Sequence, residues 1–220
     1  MACCLSILSL LSPDEAEEEL PDKQYHKFKD IVKDADDKSD LLQRVHSGIY
    51  LNKKEMKYWV DESGSNCFMI FARSLQIAWS QEKQYWNWMP SNDSGNEDVE
   101  VACLKAVCWL EVAGDFDVSL LSPNVNYEVG FILTMKEFSQ GWEQSTVSLK
   151  LGRPDNSEQE EEIFLDPEEF KGQWRDLVVG EFNSRDSTGR VTFVLIGGGH
   201  WWGGLVVKGA VLRPVKPGFS

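Results

Sequence analysis

From Cys67 onward apolar residues recur at every second position, and no other feature of the 220-residue chain narrows its fold as far. Val147, Leu149 and Leu151 alternate with Ser148 and Lys150. Tyr127, Val129, Phe131 and Leu133 are interleaved with Glu128, Gly130 and Thr134, and Val191, Phe193 and Leu195 with Arg190, Thr192 and Val194. A period of two sends successive side chains to opposite faces, so these runs read as half-buried antiparallel strands. Further strands are expected at residues 67–72, 75–79, 106–112, 176–182 and 205–212, between clusters of Gly, Pro, Asn and Ser. About eight strands with no long helix between them point away from a parallel α/β sheet. They predict an all-β fold, an antiparallel β-sandwich or jelly roll. The acidic stretch 155–169 reads as a solvated loop with a helical turn after Asp166-Pro167.

Before Asn66 the spacing is helical. Tyr25, Phe28 and Ile31/Val32 share one face, and Ser39 is placed to cap a second short helix carrying Leu41, Leu42 and Val45 that stops near Gly48. Asn52 and Glu55 have the spacing of a capping box, predicting a third helical turn ending near Tyr58 and Trp59. Residues 1–56 are therefore expected to be a small, acidic, helical N-terminal extension and 57–220 the β-domain, with the segment 1–66 read as a solvated arm dispensable for ligand binding.

Charge and cysteines narrow the function. The formal net charge is −14, with 9 basic against 14 acidic residues up to Asn66 and 13 against 22 beyond it. Phosphate-backbone affinity rests on Lys and Arg, so direct nucleic-acid binding is disfavoured along the whole chain. The apolar run 1–11 lacks a basic flank and is followed by acidic residues 14–19, so neither a secretory signal nor a membrane span is expected. Five cysteines, at 3, 4, 67, 103 and 108, form no redox or metal spacing. A cytoplasmic protein with reduced thiols and no metal or cofactor is expected, with Cys103 and Cys108 inert in the core and Cys3 and Cys4 reactive.

No Gly-x-Ser-x-Gly elbow, phosphate loop or His-Glu-x-x-His is present, and the three histidines are isolated. A glycosidase needs two facing carboxylates, and nothing in the sequence pairs Glu100, Glu111, Glu128 or Glu181. The chain is read as a binding protein, not an enzyme.

Six segments occur in an order that resembles the phloem protein 2 family of plant lectins. They are 72–79 (Ala-Arg-Ser-Leu-Gln-Ile-Ala-Trp), 85–88 (Tyr-Trp-Asn-Trp), 107–112 (Val-Cys-Trp-Leu-Glu-Val), 121–124 (Leu-Ser-Pro-Asn, with Tyr127), 180–182 (Gly-Glu-Phe) and 198–205 (Gly-Gly-His-Trp-Trp-Gly-Gly-Leu). The likeness runs from about Lys57 to Pro214; Ser74 and Trp202 stand where the family commonly has Asp and Lys. It implies a β-sandwich lectin for N-acetylglucosamine oligomers (chitooligosaccharides) and the GlcNAc core of N-glycans. It also implies a phloem and defence setting, in companion-cell cytoplasm and sieve-element sap. A homodimer and association with ribonucleoprotein come with the same resemblance.

A sugar offers an apolar face of C–H bonds and a rim of hydroxyls, so its site needs an aromatic plate and fixed polar groups. Trp201 is the expected plate, projecting from a hairpin between Gly197-Gly198-Gly199 and Gly203-Gly204, with His200 and Trp202 flanking the sugar. The resemblance adds Trp79 and Trp86, and the Pro-fixed turn 122–124 offers the amide of Asn124. Trp109, inside a strand, is expected in the core.

Overall fold

The computed structural model describes residues 25–91, 99–143, 145–185 and 188–216, and these form an all-β antiparallel structure with small N-terminal helices. The alternating segments become strands because each buries one side-chain row and shows the other to solvent. The elements in chain order are α1 (Phe28–Val32), α2 (Leu41–Arg44), β1 (Ile49–Leu51), β2 (Met56–Val60), β3 (Asn66–Phe71), β4 (Gln76–Ile77), β5 (Trp86–Pro90) and β6 (Glu100–Leu104). They continue with β7 (Val107–Asp117), β8 (Asn126–Gln140), β9 (Val147–Gly152), β10 (Glu158–Ile163), α3 (Pro167–Phe170), β11 (Arg175–Asn183) and β12 (Arg190–Pro214).

Two layers share one strand. The first half of β12 pairs with β7 and β9, which carry β4 and β10 at their outer edges; this is the back sheet. The second half pairs with β3, β6 and β8, which extend to β2, β1, β5 and β11; this is the front sheet. Rings from the two layers meet between them. Phe68 lies 4.7 Å from Phe116 and Phe131 lies 5.6 Å from Phe193, centroid to centroid.

Several expectations change. The run read as a third helical turn is the β1–β2 hairpin, whose tip Asn52-Lys53-Lys54 has positive φ throughout and is held by Asp36, which accepts from the N–H of Lys53 (2.6 Å) and of Lys54 (2.7 Å). The helices of residues 28–32 and 41–44 form as expected, but they are not a solvated arm: Phe28, Ile31, Val32, Val45 and Ile49 are buried in the main core. Within the acidic stretch the turn after Asp166-Pro167 is helical, capped by Asp166 accepting from the N–H of Glu168, while residues 158–163 are an edge strand rather than a loop. Cys3 and Cys4 lie outside the described residues. No described helix is long and apolar enough to cross a membrane.

Candidate functional site

The glycine-flanked run 197–204 is not a hairpin. It is the point at which β12 leaves the back sheet for the front one, and its pairing with β7 slips between Gly198 and Trp202. A slip of this kind rotates side chains relative to the pleat and sends two adjacent tryptophans opposite ways. Trp201 is 56% exposed, whereas Trp202 is fully buried, 4.8 Å from Trp142. Trp202 therefore plugs the end of the core and does not flank a ligand. His200 sits 4.1 Å from the Trp202 ring, and its Nε2 donates to the carbonyl of Gly141 (2.8 Å), which leaves Nδ1 accepting from the Ser145 hydroxyl (3.1 Å). Gly141 and Ser145 are locked to the β12 corner by that imidazole. Gly141 allows the approach: its φ is +90°, and a Cβ there would stand 2.1 Å from the carbonyl oxygen of Trp201.

Next to this corner the outer face of the back sheet holds a groove of about 680 Å³. Its plate is Trp109, 48% exposed rather than in the core, with its six-membered ring beside Gly198, its pairing partner on β12. The Trp109 Nε1 donates to Glu111 (2.9 Å), which fixes the ring in its plane. Across the groove stands exposed Phe164, one residue beyond β10, and between the two rings lie Glu143, Ser145, Thr146, Ser148 and Glu162. Ser145 lines this groove and also holds His200, so the Trp201 corner and the groove adjoin.

Trp79 is presented on the β7 side of the same sheet. It is 57% exposed at φ +63°, a left-handed conformation that costs a bulky residue energy and persists only where its surroundings fix it. The fixing groups are visible. Trp86 Nε1 donates to the carbonyl of Ala78 (3.0 Å), Trp88 Nε1 to that of Ser80 (3.1 Å), and the N–H of Ala78 to the carbonyl of Glu111 (3.0 Å). Trp86 is itself fully buried, so it supports the turn that shows Trp79 and does not touch a ligand. Asn124 is exposed in a left-handed turn, but beyond the opposite end of β7. The eight residue steps from Trp109 to Asp117 span about 26 Å, so Asn124 is not brought to the tryptophans.

Of the six residues expected in the site, then, Trp201 and Trp79 are presented at the surface and His200 is half-buried at the corner. Trp86 and Trp202 are core, and Asn124 is remote. Trp109, Phe164 and the groove glutamates were missed. The signal for Trp109 lay in its own strand: Leu110 and Val112 share one face, so Trp109 must share the other with Glu111, and a carboxylate on that face marks it as the wet one.

Among the described residues no group of three His, Cys, Asp or Glu side chains is placed to hold a metal. Glu100 is ion-paired with Arg73 and Glu128 with Arg213, which occupies two of the carboxylates nominated from the sequence.

The model of the family described as Phloem protein 2 matches residues 65–214. The chain is 39% identical over 202 residues to Protein PHLOEM PROTEIN 2-LIKE A1 of Arabidopsis thaliana, covering 87% of this chain and 82% of that one. It is 40% identical over 177 residues to a protein of Luffa acutangula named Lectin, covering 79% of this chain and 83% of that one. Among solved structures, TmCBM61 in complex with beta-1,4-galactotriose aligns over 64% of this chain and 87% of that one at 15% identity, with a TM-score of 0.37.

Proposed function

The chain belongs to the phloem protein 2 family, and from that premise we propose that it is a non-enzymatic lectin binding N-acetylglucosamine oligomers at the Trp201 corner and the Trp109 groove of the back sheet. The observation that carries this reading is the gathering of exposed, orientation-locked aromatics and fixed polar groups at one end of one sheet. A pyranose needs both at once. Its C–H face lies on an indole, and its hydroxyls and acetamide N–H donate to the groove carboxylates and to the lone pairs of the Ser145, Thr146 and Ser148 hydroxyls, whose own O–H groups are held by His200, Glu162 and Glu160. The relative named Lectin supports the carbohydrate class. The GlcNAc core of N-glycans offers the same acetamide chemistry and is the second ligand to test.

The experiment is calorimetric titration of the purified protein with chitotriose, repeated on Trp201→Ala and Trp109→Ala. Each substitution is expected to weaken binding about tenfold, the loss that ~1.4 kcal/mol of stacking produces. Wild-type affinity in both variants would refute the placement, and no affinity for any GlcNAc oligomer would refute the ligand.

A further inference from the structure

The groove of the back sheet crosses its strands instead of running along them. Glu162, Ser148, Ile196 and Glu111 are successive ladder partners, so they stand level on β10, β9, β12 and β7. Two residues further along each strand the same outer face carries Phe164, Thr146, Gly198 and Trp109, and all four line the one cavity. An aromatic ring closes this second row at each end. We propose that Phe164 is a second stacking plate and that a linear oligomer of three or more β-linked sugars lies across the strands from Trp109 to Phe164, a requirement for length that rests on the lectin reading above.

The spacing sets the length. From β10 through β9 and β12 to β7 the backbone of Phe164 and that of Trp109 are about 14 Å apart, at ~4.8 Å per strand. A β-1,4-linked pyranose advances its chain by roughly one strand spacing, so sugars stacked on the two plates have one or two sugars between them. Chitobiose covers one plate and leaves the other in water. The GlcNAc core of an N-glycan is no longer than chitobiose, so a chitin fragment gains an aromatic contact that the core does not. Phe164 is held in place for this role. Its neighbour Leu165 is buried in the main core and Ile163 packs against it, which turns the ring between them outward. The chain beyond is pinned by Asp166, which caps α3, and by buried Phe170. The ring itself belongs to no buried cluster. Between the plates the bed is low and polar. Gly198 raises no side chain there, and the hydroxyls of Thr146 and Ser148 donate to Glu162 and Glu160, which leaves their lone pairs to accept from sugar hydroxyls.

The test is calorimetric titration of the full chain with chitobiose and with chitotetraose. The wild type is expected to bind chitotetraose about tenfold more tightly or better, more than the few-fold that extra binding registers on a longer chain supply. Phe164→Ala should weaken chitotetraose by about tenfold and leave chitobiose nearly unchanged, because the shorter oligomer rests on Trp109. Phe164→Trp, which keeps a flat ring at the position, should keep the preference for length. The Phe164 ring is exposed, so the alanine variant should melt within a few degrees of the wild type, which separates loss of a contact from loss of the fold. Equal wild-type affinity for the two oligomers, a preference for length that survives in Phe164→Ala, or equal weakening of both oligomers by that substitution would overturn the proposal and leave the lectin reading standing. Binding of neither oligomer by the wild type would overturn both.

Discussion

Trp109 and Trp202 are both tryptophans on strands of the back-sheet layer, and only their environments separate them. Trp202 is closed in by Trp142, His200 and the backbone of Gly197, so Trp202→Ala removes a fully buried ring. The expected cost is about 3–5 kcal/mol, which at about 2–4 °C per kcal/mol for a chain of this size is a fall in Tm of roughly ten degrees. Trp109→Ala should leave Tm within a few degrees, because half of that ring is already in water; thermal melts of the two variants side by side check the contrast. The cysteines divide in the same way. Burial pushes the Cys67 thiol up to about 12, aided by the nearby Asp61 carboxylate, and raises Cys103 as well. Only thiolate reacts, so both stay protonated and unreactive at pH 8, whereas Cys108 is exposed and not in the core as its strand position implied. Alkylation of the native protein, followed by mass spectrometry, should label Cys108 well before Cys67 or Cys103.

At the scale of elements, the long strands were legible and the devices that redirect them were not. β8 and β9 sit where the period of two placed them, because each must bury one row of Val, Leu and Phe, and β3, β7 and β11 fall at the further strands expected at 67–72, 106–112 and 176–182, β3 being buried on both faces. β10 was illegible because almost all of its side chains are exposed: a strand of Glu and Gln at an edge has no apolar row, and only its ladder with β9 defines it. The β1–β2 hairpin was masked by Asn52 and Glu55, whose spacing imitates a helix cap while the backbone at Asn52, Lys53 and Lys54 turns left-handed. The glycines of β12 were read as loop residues, although they serve a bend at which one strand changes sheets. That bend yields a prediction of its own. Gly141→Ala adds a methyl group against the Trp201 carbonyl at a φ that disfavours side chains, so residue 141 must move away from the β12 corner and the His200 contacts with it. The expected result is chitotriose binding weakened by about tenfold or more with the sandwich still folded, read by calorimetry and far-ultraviolet circular dichroism together.

For the whole molecule, the N-terminal helices belong to the same core as the strands. Deleting residues 1–50 removes Phe28, Ile31, Val32, Val45 and Ile49 and strips β2 of its partner β1. The truncated protein is expected to melt far below the full chain or fail to fold, a result contrary to the dispensable arm read from composition; thermal denaturation of both forms decides it. Composition misled there because the helices are amphipathic and short, and nothing in a run of acidic and basic residues reveals what the apolar stripe faces. The site was legible only in part for a related reason. Sequence shows which residues are aromatic, but exposure depends on where β12 slips and which turn the buried Trp86 supports. A GlcNAc oligomer lying on the exposed tryptophans at the corner end of the back sheet would perturb their indole N–H groups first. The chain has nine tryptophans, and the most direct measurement is the indole N–H region of a ¹⁵N–¹H spectrum during titration with chitotriose. The signals of Trp201 and Trp109 are expected to move together and saturate while those of Trp59 and Trp174, on the opposite face, stay in place. Saturable shifts confined to Trp59 and Trp174, with Trp201 and Trp109 unmoved, would contradict it.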